Sequence, residues 1–309
     1  GVHNQTAALN AFRMASEMDF DAAVKEKALF NYAKLSFDVN SDFSRFEEYM
    51  KAYPKSGRDD EINNYIAAAS LLSKDYASAV TALKKISKQT PESKGNLRKA
   101  SFLRGMQQIG DGAYGPALKM LSLSRSTVPE DDALGCLTDY WIAECLYRGG
   151  KYADAIPVFE GLCGKTAFAG SPEATMLPYN LAYCYFQNGD YASARDSFSD
   201  YVSDADGLQM RRDALLRLAD IWHLEGNYAT AASLFEDVYK EYPDDNDLYP
   251  VIHGAEDWAL AGENGRRINL LSLAVNGNRN SDMYPQALYE LGRAYSDGGS
   301  GPTGTPNAT

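Results

Sequence analysis

The chain has 309 residues, of which 45% are hydrophobic and 23% are charged, a composition typical of globular domains. Its formal net charge is -12. An acidic molecule repels phosphate, so this charge argues against nucleic acid as a partner. No apolar run approaches the roughly 20 residues that a membrane-spanning helix needs.

A short motif recurs along the chain: one or two small or polar residues, then tyrosine, then alanine three residues later. Its five complete copies have tyrosines 37 to 39 residues apart. A fixed period of about 20 to 50 residues is typical of solenoid proteins. The copies are Asp75-Tyr76 with Ala79, Gly112-Ala113-Tyr114 with Ala117, Lys151-Tyr152 with Ala155, Asp190-Tyr191 with Ala194, and Asn227-Tyr228 with Ala231.

Apolar or small residues recur at steps of three and four residues on both sides of each motif. Such spacing predicts one amphipathic helix before the motif and another after it. Each unit is therefore predicted to be a helix, a tight turn and a second helix. We expect Gly150, Gly189 and Gly226 to end first helices in a left-handed conformation. Pro54 and Pro243 are expected to stop second helices.

The units resemble tetratricopeptide repeats, whose pattern runs W-x-x-L-G-x-x-Y, then G-x-Y-x-x-A-x-x-x-F, then P. The segments 181–198 and 218–235 match it best, each with Leu-Ala, an aromatic residue, Gly-x-Tyr, Ala and Phe at the required steps. Segment 288–295 matches the first helix. The resemblance covers about residues 5 to 296. It implies an all-α fold, a right-handed superhelical solenoid of antiparallel helix hairpins with first helices on the concave face.

Two copies depart from the pattern, and the period is longer than the family's, which is about 34 residues. Phe46 stands at one alanine position, which predicts helices that pack further apart. Arg267 stands at another and argues against a regular second helix there. Long repeats of this kind are similar to those of bacterial cell-envelope assembly proteins, including outer-membrane lipoproteins. The resemblance implies the periplasm or the outer-membrane face, with the cytoplasm as the alternative.

Both ends resemble half-repeats. The start is similar to a second helix, with Ala8 and Phe12 at the alanine and phenylalanine positions, and the last first helix ends near Tyr295. We predict a single solenoid over residues 1–296, with about seven hairpins and half-repeats at both ends, cut from a longer protein. Residues 297–309 are rich in Gly, Ser, Pro and Thr, and we predict a flexible tail.

Motifs for catalysis, metals and cofactors are not apparent, and the chain is predicted to be no enzyme and to need no metal or cofactor. Residues 110–115 match G-x-G-x-x-G but fall on a turn between helices instead of a βαβ unit. The acidic run 241–247 lacks the central Gly and closing Glu of a calcium loop. None of the three histidines stands at a catalytic or metal-binding spacing.

The four cysteines form no C-x-x-C pair. Cys145 and Cys184 occupy equivalent small-residue positions, where packing explains them. Cys136 and Cys163 lie near helix ends that an antiparallel hairpin would bring together. A disulfide between them is one hypothesis, and free thiols are the alternative.

In the resembled family, ligands usually contact first-helix residues that alternate with core positions. The predicted function is a non-catalytic scaffold that binds a peptide or partner protein there, in bacterial envelope assembly. A carbohydrate- or small-molecule-binding module is the alternative, because aromatic grooves also stack on sugar rings. The implied groove residues are Tyr140, Glu144, Tyr147, Arg148, Tyr179, Tyr183, Phe186, Gln187, Asp220 and His223.

The tyrosines among these residues have two interpretations. Tyrosine gives a large contact area at low entropic cost and is frequent at binding hot spots. The same rings could instead extend the core between repeats. If Tyr179 and Tyr183 face a groove, alanine at both would weaken partner binding and leave the melting temperature nearly unchanged.

Overall fold

The structure is a computed structural model, and it describes residues 2–40, 42–203, 210–242 and 246–298, with only the backbone at residues 2 and 3. Within these ranges it contains 17 helices and no strand. Helices that follow one another in the chain pack together inside each unit. The predicted all-α repeat fold is confirmed.

The chain divides into two compact units, which are described separately. The first comprises Gly1–Gly150 and Lys165–Phe168, and the second Lys151–Gly164 and Ala169–Thr309. The prediction of one solenoid over residues 1–296 stays a prediction.

The first unit contains eight long helices in its described residues. They are α1 (Val2–Glu17), α2 (Ala22–Asn40), α3 (Ser44–Ala52), α4 (Asp59–Leu72), α5 (Tyr76–Lys85), α6 (Pro91–Gly110), α7 (Tyr114–Thr127) and α8 (Ala133–Arg148).

The second unit also contains eight long helices in the part that the structure describes. They are α9 (Tyr152–Glu160), α11 (Pro172–Asn188), α12 (Tyr191–Ser203), α13 (Arg211–Leu224), α14 (Tyr228–Glu241), α15 (Tyr249–Leu260), α16 (Asn264–Gly277) and α17 (Tyr284–Gly298). The four-residue helix α10 (Thr166–Ala169) has its first three residues in the first unit and its last in the second.

The recurring motif fixes where second helices begin and what they bury. All five motif tyrosines are the first residues of helices α5, α7, α9, α12 and α14. The five alanines that follow are fully buried, which lets neighbouring helix backbones approach closely. A large apolar residue seven positions after each tyrosine is also buried and fills the space beside the alanine. These residues are Leu83, Leu121, Phe159, Phe198 and Phe235.

Left-handed residues end several first helices, as predicted. Gly150, Gly189 and Gly226 have φ of 71°, 82° and 77°, a region in which a residue without Cβ meets no steric penalty. Lys74 occupies the same place in its repeat with φ 62° and is the only non-glycine residue of positive φ in the described ranges. The repeat therefore demands this backbone conformation even where its sequence lacks glycine.

The second helix that contains Arg267 is regular, and the prediction against it was wrong. Helix α16 runs unbroken over Asn264–Gly277. Arg267 is buried, and its long side chain carries the guanidinium to Glu290 and Asp297 on α17, with Nη–carboxylate distances of 3.0 and 2.9 Å. A long, paired side chain thus replaces the usual alanine without distorting the helix.

Other boundary predictions have mixed outcomes. Helix α3 ends at Ala52, two residues before Pro54, as expected. Phe46 is fully buried among Phe30, Phe37 and Tyr65, while the wider helix spacing predicted there stays a prediction. Pro243 and most of the predicted tail lie outside the described residues, and α17 extends to Gly298.

Asp132 joins two helices of the first unit. Its Oδ1 accepts the backbone N–H of Gly135 at 2.8 Å and so caps α8, while Oδ2 accepts Nη1 of Arg98 on α6 at 2.7 Å. Arg98 is buried. The hydrogen bonds from Arg98, and to a smaller extent from Gly135, hold the pKa of the Asp132 carboxyl below its usual value even though burial opposes them.

We expect Asp132→Asn to lower the free energy of unfolding at pH 7 by about 1 kcal/mol, because asparagine keeps the cap and the carboxylate is half-exposed. The pKa of Asp132 is lower in the folded than in the unfolded chain, where it is about 3.9. The stabilisation by the ionised Asp132 carboxylate is therefore fully present above the unfolded pKa, and it is lost as the pH falls through the folded pKa.

Thermal unfolding of both proteins from pH 3 to pH 7 checks this prediction. The difference in melting temperature should be constant above about pH 5 and shrink below about pH 4. An undiminished difference at pH 3 would contradict the assigned charge pair.

Candidate functional site

Two tyrosines of helix α11 share one carboxylate of helix α13. The hydroxyls of Tyr179 and Tyr183 both donate to Oδ2 of Asp213, Tyr179 at 2.9 Å. Their rings pack against Phe198, with centroids 6.0 and 5.3 Å away, and Tyr179 also contacts Tyr201. Both tyrosines are half-buried, with their rings packed against Phe198 and their hydroxyls bonded to Asp213. Alanine at both positions would remove packing as well as surface, which does not fit the expectation of an unchanged melting temperature.

A polar chain continues from Asp213 across α13 to α15. Arg217 Nη1 lies 2.5 Å from Oδ2 of Asp220, and its Nε lies 3.8 Å from Oδ1 of Asp213. Asp220 Oδ1 in turn accepts the hydroxyl of Tyr249 at 2.9 Å. Burial raises the pKa of Asp220 against the opposing effect of Arg217. Burial and the neighbouring Asp220 raise the pKa of Tyr249 to about 12, so its hydroxyl remains a donor.

The polar chain ends at a pocket of about 280 Å³ in the second unit, called here the histidine pocket. First helices α11, α13 and α15 supply its lining, apart from one residue of α14. The lining residues are Phe186, Asp220, His223, Leu224, Phe235, Tyr249, His253 and Glu256.

His223 is oriented by a buried carboxylate. Its Nδ1 lies 2.6 Å from Oδ1 of Asp257, which has no exposed surface. Burial raises the pKa of Asp257, and the hydrogen bond with His223 opposes this effect. Asp257 Oδ2 is buried and has no hydrogen-bond partner among the described residues. A hydrogen bond at Nδ1 fixes the ring and leaves Nε2 as the nitrogen available to a ligand.

His253 also lines the pocket. Its ring centroid is 4.2 Å from that of Tyr249 and 6.0 Å from that of Phe235. Its Nδ1 is 3.7 Å from the Glu256 carboxylate, whose side chain is 58% exposed. An accessible carboxylate thus lies beside the ring of His253, which contacts Tyr249.

The predicted site residues of the first unit lie on α8. Tyr140 is only 5% exposed and packs against Trp141 and Phe168, so its ring has little surface for a partner. Glu144 is buried, and its carboxylate accepts a hydrogen bond from Nε of the exposed Arg148 at 2.8 Å. The Arg148 guanidinium also lies over the ring of the partly buried Tyr147.

The other six predicted residues lie in the second unit. Phe186, Asp220 and His223 come together in the histidine pocket. Tyr179 and Tyr183 form the adjoining tyrosine pair. Gln187 is exposed at the end of α11. The grouping of residues 140 to 187 into one groove stays a prediction.

Sequence reasoning missed several residues of this site, all on first helices. Two of them lie 34 residues after a residue that was predicted. Asp213 follows Tyr179 by this interval, and Asp257 follows His223 by it. A search for polar residues about 34 positions after each predicted site residue could have found both. The missed residues are Asp213, Arg217, Leu224, Tyr249, His253, Glu256 and Asp257.

All four cysteines are free thiols in the structure, which is the alternative to the proposed Cys136–Cys163 disulfide. Burial raises the pKa of Cys145 to about 11, so this thiol is unreactive at neutral pH. Residues 110–115 comprise the end of α6, the turn at 111–113 and the start of α7. Within the described ranges, no group of three or more His, Cys, Asp or Glu side chains could hold a metal ion. In the same ranges, no helix is long and apolar enough to cross a membrane.

The described part of the chain consists of paired helices with a recurring motif, and hydrogen bonds join successive first helices of the second unit. These features define an all-α helical-repeat protein. Residues 165–209 and 179–246 match one family model described as a tetratricopeptide repeat, and residues 138–165 match a second. Residues 138–246 therefore contain tetratricopeptide repeats. Proteins that contain such repeats bind proteins or peptides, and the fold is generally a non-catalytic scaffold.

Similar solved structures include two that are described as tetratricopeptide or tetratricopeptide-like repeats. The tetratricopeptide-like repeats of a putative kinesin light chain from Podosopora anserina are 16% identical, with 62% of this chain and 97% of that chain covered and a TM-score of 0.47. PilW, a type IV pilus biogenesis factor, is 15% identical over 75% and 100% of the chains, with a TM-score of 0.45. A tetratricopeptide repeat protein from Parabacteroides merdae is 19% identical over 78% and 91%, with a TM-score of 0.43. No match was found among curated proteins.

Proposed function

We propose that the chain is a non-catalytic scaffold that binds a peptide or an extended segment of a partner protein on the first-helix face of its second unit. The observation that carries the proposal is the continuous chain from Tyr179 and Tyr183 through Asp213 and Asp220 to the histidine pocket. Side chains that are already fixed lose little entropy when a partner binds. Tyrosine rings suit a binding surface of this kind, and the hydroxyls of Tyr179 and Tyr183 already donate hydrogen bonds to Asp213.

The pocket chemistry supports binding over catalysis. The His223–Asp257 pair has the geometry of a general base with its orienting carboxylate. Nucleophilic catalysis would also need a hydroxyl or thiol within reach of the imidazole. Among the described residues that line the pocket, none is serine, threonine or cysteine, and the hydroxyl of Tyr249 donates to Asp220 instead of to a histidine.

A place in bacterial cell-envelope assembly is the finer part of the proposal. The long repeat period of 37 to 39 residues supports it. Fractionation of cells that express the full-length protein is the test. Recovery with the envelope is expected, and recovery with the cytosol would overturn this part alone.

We expect Leu224→Lys to weaken peptide binding about ten-fold or more, a loss of about 1.4 kcal/mol, because it places a positive charge on an apolar part of the pocket rim. Leu224 is 54% exposed, so the change should not disturb the core. Leu273→Lys is the matched control, since Leu273 is 52% exposed on the second helix α16.

Peptides selected from a random displayed library on the immobilised chain supply the ligand. Fluorescence polarisation of the tightest peptide then gives Kd for the three proteins. A peptide that binds all three equally would contradict the assigned face. Failure to select any peptide, together with specific binding on a glycan array, would favour a carbohydrate-binding module.

A further inference from the structure

The histidine pocket combines carbon walls with an excess of carboxylates. We propose that it accepts one basic side chain, arginine or lysine, from the partner segment. This inference rests on the proposed function, because it names the chemistry recognised at the same site.

The walls fit the aliphatic stem of a basic residue. Phe186, Leu224 and Phe235 give the pocket an apolar surface, and the rings of Tyr249 and His253, which contact each other at an angle of 46°, add further lining. Arginine and lysine bury their methylene groups against apolar surface and keep the charged end near polar groups. Aromatic faces also attract a guanidinium or ammonium ion. A volume of about 280 Å³ suits a single long side chain better than a cofactor.

The charges around the pocket favour a cation. Asp220 and Glu256 line it, and Asp257 lies behind His223 with one oxygen unpartnered among the described residues. Arg217 pairs with Asp220 and, at 3.8 Å, with Asp213. Among the described residues, the ion-pair partners of Asp257 and Glu256 are His223 and His253, and neither carboxylate is paired with an arginine or a lysine. The net charge of -12 on the whole chain also attracts cationic segments over longer distances.

The few histidines provide a direct probe of the pocket. The chain contains three, and two of them, His223 and His253, line it, whereas His3 belongs to the first unit. The experiment labels histidine with ¹³C and follows the Cε1–H signals of the full chain by NMR. Nα-acetyl-arginine amide is titrated at constant pH and ionic strength. Nα-acetyl-norleucine amide, which has an uncharged stem of similar length, is the matched probe.

We expect the arginine amide to shift the signals of His223 and His253 along a saturating curve and to leave that of His3 unchanged. The norleucine amide should cause no such shift. Glu256→Gln should weaken the arginine amide about five-fold, because it removes the exposed carboxylate beside the rings. Asp237→Asn removes an exposed carboxylate on the second helix α14, outside the pocket, and should change nothing.

Equal shifts with both amides, no shift with the arginine amide, or an unchanged affinity in Glu256→Gln would each overturn the inference. Its failure can be distinguished from failure of the proposed function. Selected peptides that bind through Leu224 but lack basic residues would refute the basic-side-chain pocket alone. Binding of the arginine amide without any selectable peptide would refute the scaffold function alone.

Discussion

Phe198→Ala is expected to lower the free energy of unfolding of the second unit by about 3–5 kcal/mol, the usual cost of removing a fully buried phenylalanine. Phe198 has no exposed surface. It lies seven residues after the motif tyrosine of α12, and its ring supports both Tyr179 and Tyr183. The substitution would therefore create a cavity beneath the proposed binding face.

Urea unfolding followed by tryptophan fluorescence measures this loss in a Trp141→Phe background, because Trp222 and Trp258 lie in the second unit and Trp141 in the first. Leu260→Ala is the control in the same unit, since Leu260 is 53% exposed, and its effect should stay within about 0.5 kcal/mol. A loss below about 1 kcal/mol for Phe198→Ala would show that the recurring motif does not build the core in the way described.

Arg267→Ala is expected to cost about 2–3 kcal/mol, because it unpairs two carboxylates that a buried guanidinium now holds. The expected loss in free energy of unfolding is smaller than that for breaking a fully buried ion pair. The side chains of Glu290 and Asp297 are 21% and 58% exposed, so water can solvate them. The substitution should loosen α17 from α16 before it affects the other helices. Hydrogen exchange of the α17 amides, with urea unfolding, measures both effects.

Two further variants separate charge pairing from packing. Arg267→Met keeps most of the side-chain volume, and its cost shows how much of the loss is due to the cavity. Arg293→Ala removes a guanidinium that also approaches Glu290 but is 54% exposed, so it should cost less than about 0.5 kcal/mol. Equal losses for Arg267→Ala and Arg293→Ala would contradict a special role for the buried arginine.

The sequence predicts helix positions well where the constraint is local. A tyrosine that starts a second helix, an alanine three residues on and a large residue seven residues on are all read from short spacings. The same reasoning failed at Arg267 because its partners lie 23 and 30 residues later, on another helix. A small residue is one solution to close helix packing, and a long side chain that reaches past the contact is another.

The candidate site was predictable only in part for the same reason. The resemblance to tetratricopeptide repeats implied Phe186, Asp220 and His223, which the structure brings together in the histidine pocket. It could not tell that Tyr140 is buried, because ring burial depends on the neighbouring Phe168, which falls outside the repeat pattern. Nor did it pair His223 with Asp257, since hydrogen bonding between repeats depends on side-chain direction as well as on period.

The most direct test of the proposed binding face is hydrogen exchange of the full chain with and without a saturating selected peptide. Protection is expected in first helices α11, α13 and α15 of the second unit, and it should be strongest around residues 220–224 and 249–256. Protection confined to second helices α12, α14 and α16, or to the first unit, would contradict the account.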